Sequence, residues 1–234
     1  PALMHQLAKA GFNQSYTYFT WRNFKHELVE YMEELTHGPG REYFRPNFWP
    51  NTPDILPYNL QSGNEALYLQ RLFLAGTLSA NYGVYGPVYE LMEHEAVPGK
   101  EEYYRSEKYE LREWDWHREN KLTWLMTTLN RARKDHQALQ QTFNYRHCPI
   151  ENENLYAYFK WWEESMVLMV VNLDPYHRQE GMVQLPLDLL DVDGPLHLEM
   201  HDVMSGLQYQ WSEEWNYVAL DPAQPYHLFR ITRR

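Results

Sequence analysis

The sequence has 234 residues, of which 44% are hydrophobic and 16% aromatic, and no stretch of it is low in complexity. This composition excludes the disordered, collagen-like and disulfide-scaffold classes and predicts a chain with a substantial core. The net charge of -11 argues against binding to nucleic acid or to an anionic membrane surface. The longest apolar run, residues 166–173, is far shorter than the ~20 residues of a membrane helix, so we expect no membrane-spanning segment.

The single cysteine, Cys148, allows no internal disulfide and no zinc site built from cysteines, which fits a reducing compartment. The chain opens on Pro1 and shows no basic-then-apolar leader. We therefore expect a fragment of a longer protein.

The sequence pattern over residues 1–137 predicts alternating strands and helices. Apolar residues recur at spacings of three and four along the helical segments. Thr20 is the predicted N-cap of the second helix. The first two helices are predicted to end at Gly11 and Gly38, because glycine is common at helix C-termini. The strand segments are short and aromatic, and a long polar loop is predicted at residues 86–112. The predicted helices cover residues 3–10, 21–37, 65–78 and 117–134, and the predicted strands cover residues 12–19, 42–48 and 82–85.

This alternation is typical of βα units around a parallel sheet or barrel. Only about three units are present, and three parallel strands cannot close an eight-stranded barrel. Residues 1–137 are therefore predicted to be the C-terminal third of a (β/α)8 TIM barrel, with strands 6–8 and their helices, whose earlier units are absent. The fold class is α/β plus β.

After His136 the pattern changes to short β-type runs separated by turn residues such as Asp174-Pro175 and Ser205-Gly206. We predict an antiparallel β-sandwich domain over residues 138–234. The predicted strands cover residues 155–162, 166–172, 181–185, 196–201, 207–211, 217–220 and 226–232.

Asp54 lies just past the second predicted strand. Barrel enzymes carry their reactive side chains where a strand runs into the following loop. A carboxylate there can stabilise a developing positive charge or orient a sugar hydroxyl. The alternative is that Asn51 and Asp54 form ordinary turns around Pro53, and spacing alone favours that alternative.

Lys108 and Tyr109 lie in the polar loop after the third predicted strand, on the same side of a barrel as Asp54. Lys108 can donate to sugar hydroxyls, and Tyr109 can pack on the face of a pyranose ring. The alternative, which spacing alone favours, is a solvated charged loop.

A metal site is not predicted. His197 and His201 flank Glu199, but four residues of a strand span about 13 Å, which is too far for one ion. No phosphate-binding glycine loop and no serine nucleophile elbow occur in the sequence either.

Several separated blocks, in order, resemble the maltose-1-phosphate maltosyltransferases, a branch of the α-amylase superfamily. Asp54 is preceded by Pro53, as it is in that branch, whereas most of the superfamily has a His-Asp pair there. The resemblance covers essentially the whole chain. Its blocks are LAKAGF at 7–12, QSYTYFTWR at 14–22, FRPNF at 44–48, NTPDIL at 51–56, SEKY at 106–109 and VVNLDP at 170–175.

The resemblance implies transfer of maltosyl units from α-maltose 1-phosphate to the non-reducing end of an α-1,4-glucan, with retention of the anomeric configuration. Retention implies a nucleophilic carboxylate and an acid/base carboxylate about 5 Å apart. By resemblance Asp54 is the aspartate that stabilises the transition state, and Lys108 and Tyr109 contact the second glucose of the donor. The nucleophile and the acid/base have no counterpart in this chain, so we expect it to be inactive alone.

The resemblance also implies a cytoplasmic enzyme that needs no cofactor and forms a homodimer when full length. Two alternatives stay open. One is a non-catalytic glucan-binding protein made of a β-sandwich and a remnant α/β layer. The other is a related enzyme of the superfamily, such as a trehalose-forming transglycosidase or an amylase.

Overall fold

The computed structural model describes residues 2–107, 109–190 and 194–233. Its first part alternates helices with three short strands, which pair in parallel in the order β1-β2-β3. Helix α2 connects β1 to β2, and α3 connects β2 to β3, as βα units require. The helices are α1 (Ala2–Lys9), α2 (Lys25–His37), α3 (Glu65–Leu78) and α4 (Lys121–Asp135), and the strands are β1 (Ser15–Tyr16), β2 (Pro46–Phe48) and β3 (Asn81–Tyr82).

The start of α2 differs from the prediction. Glu27 Oε2 accepts hydrogen bonds from the N–H groups of Asn23 at 2.8 Å and Phe24 at 3.1 Å, so the helix begins at Lys25. Thr20 is not its cap. It lies in a 3-10 turn, Tyr18–Trp21, and its hydroxyl donates to the carbonyl of Trp49 at 2.8 Å. The long strand predicted at residues 12–19 is therefore reduced to β1 followed by this turn.

Helix α3 occupies the predicted residues, and Asn64 caps it by accepting from the N–H of Ala66 at 2.9 Å. It is buried on nearly every side because α4 packs on one face and the β-domain on another. A Cβ on Gly76 would overlap Leu129 Cδ2, so a larger residue there would force the Leu129 side chain to shift where α3 approaches α4.

Residues 145–233 form two antiparallel sheets. The large sheet has the order β4-β5-β6-β11-β8-β9, and the small sheet pairs β10 with β7. The short helix α5 (Leu187–Leu190) follows β7. The strands are β4 (Tyr145–Cys148), β5 (Leu155–Trp162), β6 (Ser165–Asn172), β7 (Gln179–Gln184), β8 (Leu198–Asp202), β9 (Gln208–Trp211), β10 (Trp215–Leu220) and β11 (Tyr226–Arg233).

Strands β5 and β6 of the large sheet are buried on both faces. On β5, Ala157 and Phe159 point into a core shared with Val183 and Val218 of the small sheet, so the two sheets form a sandwich. The residues that alternate with them, such as Tyr158, pack into the core of α2 and α3. This double burial explains why β5 and β6 are long apolar runs.

Lys160 on β5 is fully buried and joins the sheet to α3. Its Nζ donates to the carbonyl oxygens of Thr77 at 3.1 Å and Leu78 at 3.3 Å, and also to that of Gln141. Burial lowers the pKa of Lys160 to about 7. The carbonyl oxygens at the C-terminal end of α3 favour the ammonium form, since that end of a helix carries negative partial charge.

Asp202, at the end of β8, holds the large sheet to the turn that follows. Burial by itself raises its pKa, but hydrogen bonds from His227 Nδ1 at 2.9 Å, from the Ser205 hydroxyl and from the Leu228 N–H at 3.1 Å outweigh burial and lower it. The folded chain thus favours the carboxylate more than the unfolded chain does.

We therefore expect Asp202→Asn to lower the free energy of unfolding by about 2–4 kcal/mol at pH 7, since a buried charge-assisted network loses its acceptor. The carboxylate's contribution to the free energy of unfolding is complete above the ordinary pKa of 3.8. It is lost as the pH falls through the lower pKa that Asp202 has in the folded chain. Urea unfolding at pH 7 and pH 3 measures both. Asp221→Asn, at an exposed turn, is the control, and an equal effect of the two substitutions would refute the assignment.

None of the helices in the described part of the chain has the length and apolar character needed to span a bilayer.

Candidate functional site

Asp54 lies in the loop that follows β2, at the carboxyl ends of the three parallel strands. Thr52 and Ile55 exchange backbone hydrogen bonds at 3.1 and 3.2 Å and enclose Asp54 in a tight turn. The Thr52 hydroxyl accepts from the Asp54 N–H at 3.3 Å. The turn expected around Pro53 is thus present, but Thr52 forms it rather than Asn51.

The turn places the Asp54 side chain, which is exposed, on the wall of a cavity of about 310 Å³, here called the Asp54 cavity. Tyr109, 81% exposed, lines the same cavity, so the structure brings two of the three predicted site residues together. The third, Lys108, lies outside the described residues. Three carboxylates and three tyrosines line the cavity: Asp54, Glu102, Glu110, Tyr103, Tyr104 and Tyr109.

This lining suits sugar hydroxyls, because carboxylates accept from them and tyrosine rings pack against their C–H faces. Among the lining residues that the structure describes, no cation is present to meet a phosphate group. The described wall of the cavity is therefore complementary to glucose units.

Asn51 anchors the loop and was not identified as important from the sequence. It is fully buried; its Nδ2 donates to the Tyr103 hydroxyl at 2.8 Å and to the carbonyl of Tyr85 at 3.1 Å, while its Oδ1 accepts from the Tyr85 N–H at 3.0 Å. These bonds tie the end of β2 to the segment after β3. The place of Asn51 directly after Pro50, at the start of the NTPDIL block, is the sequence signal that points to it.

The loop predicted at residues 86–112 is not simply solvated. Val88, Tyr89 and Tyr103 are buried, and Ala96 pairs with Tyr103 in an isolated bridge. Glu101 Oε1 accepts from the N–H of Tyr58 at 3.0 Å. Tyr89 and Tyr103 belong to the core, which is the reason that the loop keeps a defined shape beside Asp54.

Glu107, in the SEKY block, is held on both sides. Trp114 Nε1 donates to its Oε1 at 2.7 Å, and the Tyr85 hydroxyl lies 3.4 Å from its Oε2. The Arg112 guanidinium stacks over the Trp114 ring at 4.4 Å and pairs with Glu93 at 2.7 Å. Distant residues thus position the block that carries Tyr109.

Trp49 fills the space between the ends of the strands. Its ring meets that of Tyr16 edge-on at 5.1 Å, and a Cβ on Gly83 would overlap it. Within the described ranges, no group of three or more His, Cys, Asp or Glu side chains is arranged to hold a metal ion.

Comparisons with known proteins find the same family that the sequence motifs resemble. Residues 147–231 match the family model described as GLGE, C-terminal. The chain is 47% identical over 99% of its length to the alpha-1,4-glucan:maltose-1-phosphate maltosyltransferase of Chlorobaculum tepidum, covering 36% of that protein. It is 44% identical over 99% of its length to the enzyme of that name from Salinibacter ruber, covering 35% of it.

Solved structures share the fold. The alpha-amylase of Geobacillus thermoleovorans complexed with acarbose matches 99% of this chain and 51% of its own, with a TM-score of 0.67 at 10% identity. A cyclomaltodextrin glucanotransferase, CldA, matches 99% of this chain and 43% of its own, with a TM-score of 0.66 at 12% identity.

The fold is therefore one found in α-amylase-family enzymes, with an antiparallel β-sandwich after a mixed helical and parallel-strand region. Within that class the resemblance to the alpha-1,4-glucan:maltose-1-phosphate maltosyltransferases is confirmed. The chain spans about a third of the length of the curated relatives it matches.

Proposed function

We propose that this chain is the part of a maltose-1-phosphate maltosyltransferase that stabilises the transition state and holds the donor's second glucose. The observation that carries the proposal is the joint placement of Asp54 and Tyr109 on one cavity, in a chain 47% identical to a protein of that name. The substrates are α-maltose 1-phosphate as donor and an α-1,4-glucan as acceptor.

We also propose that β1, β2 and β3 are strands 6–8 of a TIM barrel formed by residues 1–137, and that residues 138–234 are a separate domain. Three features support this: the strands are parallel, a helix follows each of β1 and β2, and Asp54 stands at a carboxyl end. The full-length enzyme is proposed to be a cytoplasmic homodimer, on the strength of the resemblance.

In the proposed reaction the bond between the anomeric carbon and the phosphate oxygen breaks while positive charge develops on the sugar ring. A nucleophilic carboxylate, supplied by residues outside this chain, displaces the phosphate and forms a glycosyl-enzyme. An acid/base carboxylate, also outside this chain, then takes the proton of the glucan hydroxyl, which attacks the anomeric carbon as the bond to the nucleophile breaks, and the two displacements together retain the configuration. Asp54 contributes a negative charge that stabilises the oxocarbenium-like transition state. Tyr109 and Lys108 contact the second glucose of the donor and fix its position.

A chimera tests the proposal. These 234 residues replace the aligned third of the Chlorobaculum tepidum enzyme, and purified chimera is given α-maltose 1-phosphate and maltohexaose. We expect phosphate release coupled to products two glucoses longer, measured by a phosphate assay and by mass spectrometry. A folded chimera that binds glucan without transfer would favour the glucan-binding remnant, and release of free maltose without elongation would favour a hydrolase.

A further inference from the structure

The loops that follow the three parallel strands meet at one side chain, that of Glu101. Trp21 lies in the 3-10 turn after β1, Tyr58 begins a 3-10 turn after β2, and Glu101 lies in the segment after β3. Trp21 Nε1 donates to Glu101 Oε2 at 3.0 Å, and the Tyr58 N–H donates to Glu101 Oε1 at 3.0 Å. One carboxylate therefore joins all three loops at the carboxyl ends of the strands.

A short hairpin, residues 95–104, carries Glu101. The Val97 N–H donates to the carbonyl of Glu102 at 2.9 Å across its two arms, and Gly99 makes the turn between them with a φ of 73°, which glycine adopts without steric cost. Glu101 is directed at the two neighbouring loops, whereas other residues of the hairpin form a wall of the Asp54 cavity. Those residues are Val97, Glu102, Tyr103 and Tyr104.

Further hydrogen bonds fix the loop after β2 on the hairpin. The Leu56 N–H donates to the backbone carbonyl of Glu101 at 3.0 Å, and the Tyr58 hydroxyl donates to the carbonyl of Gly99 at 3.1 Å. Leu56 lies only two residues after Asp54. These contacts therefore set the position of Asp54 relative to the opposite wall of its cavity.

The turn after β1 is held from two directions. The Thr20 hydroxyl donates to the carbonyl of Trp49 in the loop after β2 at 2.8 Å, and the neighbouring Trp21 donates to Glu101 on the hairpin. The second of these bonds ends on a carboxylate, and hydrogen bonds to an ionised acceptor are stronger than those between neutral groups. Loss of the Glu101 charge would therefore loosen the turn and the hairpin together.

We propose that Glu101 is a positioning residue, whose carboxylate holds the loops after β1 and β2 against the hairpin and thereby fixes the shape of the Asp54 cavity. It acts through Asp54 and through the hairpin residues that face it. Its benefit to maltosyl transfer rests on the proposed function. A misplacement of about 1 Å at a reacting centre can cost about 10²-fold in rate, so a fixed cavity wall matters for the chemistry.

A carboxylate suits this position because both of its partners are donors. A glutamine would offer one acceptor oxygen and one NH2 group, so either the Trp21 indole or the Tyr58 N–H would face another donor. Replacing Trp21 by phenylalanine removes one of the two donors and with it the conflict. The effect of Glu101→Gln should therefore depend on the residue at position 21.

Rates of the active chimera test this dependence. We expect Glu101→Gln to lower the rate of maltosyl transfer about tenfold, and to lower it less than about twofold when Trp21→Phe is already present. Trp21→Phe alone is expected to have a smaller effect, about threefold, because Tyr58 keeps its bond to the carboxylate. The matched control is Glu180→Gln on the β-sandwich, where the Glu180 carboxylate accepts from the Tyr217 hydroxyl at 2.7 Å. It is expected to leave the rate unchanged.

Amide hydrogen exchange of the 234-residue chain, followed by mass spectrometry, is a readout that needs no activity. Glu101→Gln is expected to speed exchange about fivefold or more in the three linked segments, because local opening of the loops becomes easier. These segments are residues 18–22, 55–62 and 95–104. Exchange in α3 and in β5 is expected to stay the same.

Equal effects of Glu101→Gln on the rate with and without Trp21→Phe, or unchanged exchange in the three segments, would overturn the proposal. Faster exchange in α3 and β5 as well would assign Glu101 to general stability, which also overturns it. Faster exchange confined to the three segments with an unchanged rate of transfer contradicts the positioning role. A folded chimera that transfers nothing refutes the proposed function instead, and the exchange of the three segments then decides whether Glu101 holds them together.

Discussion

Asp54→Asn in the active chimera is expected to lower the rate of maltosyl transfer by about 10²–10³-fold. Removing one group that is preorganised to meet transition-state charge costs about 3–4 kcal/mol of barrier in other enzymes. The asparagine has nearly the same shape, and the Asp54 N–H bond to the Thr52 hydroxyl and the backbone bonds between Thr52 and Ile55 are unchanged by the substitution, so the loop is expected to keep its conformation. Initial rates of phosphate release at saturating donor measure the change.

The matched control is Asp188→Asn, which removes an exposed carboxylate that pairs with Arg146 at 3.2 Å on the β-sandwich. It is expected to alter the rate less than twofold. An Asp54→Asn chimera that retains more than a tenth of the rate would refute the proposed role of Asp54, provided that its melting temperature matches that of the chimera.

The 234 residues on their own are expected to release no phosphate from α-maltose 1-phosphate above the uncatalysed rate. A retaining transfer needs a nucleophile and an acid/base in addition to Asp54, and the resemblance assigns neither of them to a residue of this chain. The effect is the largest we predict, since enzymes accelerate their reactions by about 10⁶-fold or more.

The chimera at equal concentration is the positive control, and near-ultraviolet circular dichroism checks that the isolated chain is folded. Phosphate release that Asp54→Asn abolishes would be the contrary result. It would mean that this chain contains its own nucleophile, for which the other carboxylates of the Asp54 cavity, Glu102 and Glu110, would be the first candidates.

Elements with long, continuous patterns were predicted well. Helix α3 and strand β5 lie at the predicted residues, because each is buried along most of its length and is made mostly of apolar residues. Strand β4 was missed, since its centre is the polar pair Arg146 and His147 and only its pairing with β5 makes it a strand. The strand predicted around β1 was too long, because aromatic residues are common in strands. Here Tyr18, Phe19 and Trp21 lie in a 3-10 turn instead.

The sequence by itself determined the order of the βα units, the change to antiparallel strands, the position of Asp54 after β2 and the family resemblance. These features depend on local periodicity and on short motifs, which are readable without a fold. The sequence placed Asp54 and Tyr109 on the same side of a barrel, and only the tertiary structure decided that both line one cavity. The contact between Asn51 and Tyr103, across 52 positions, joins residues whose spacing carries no periodic signal.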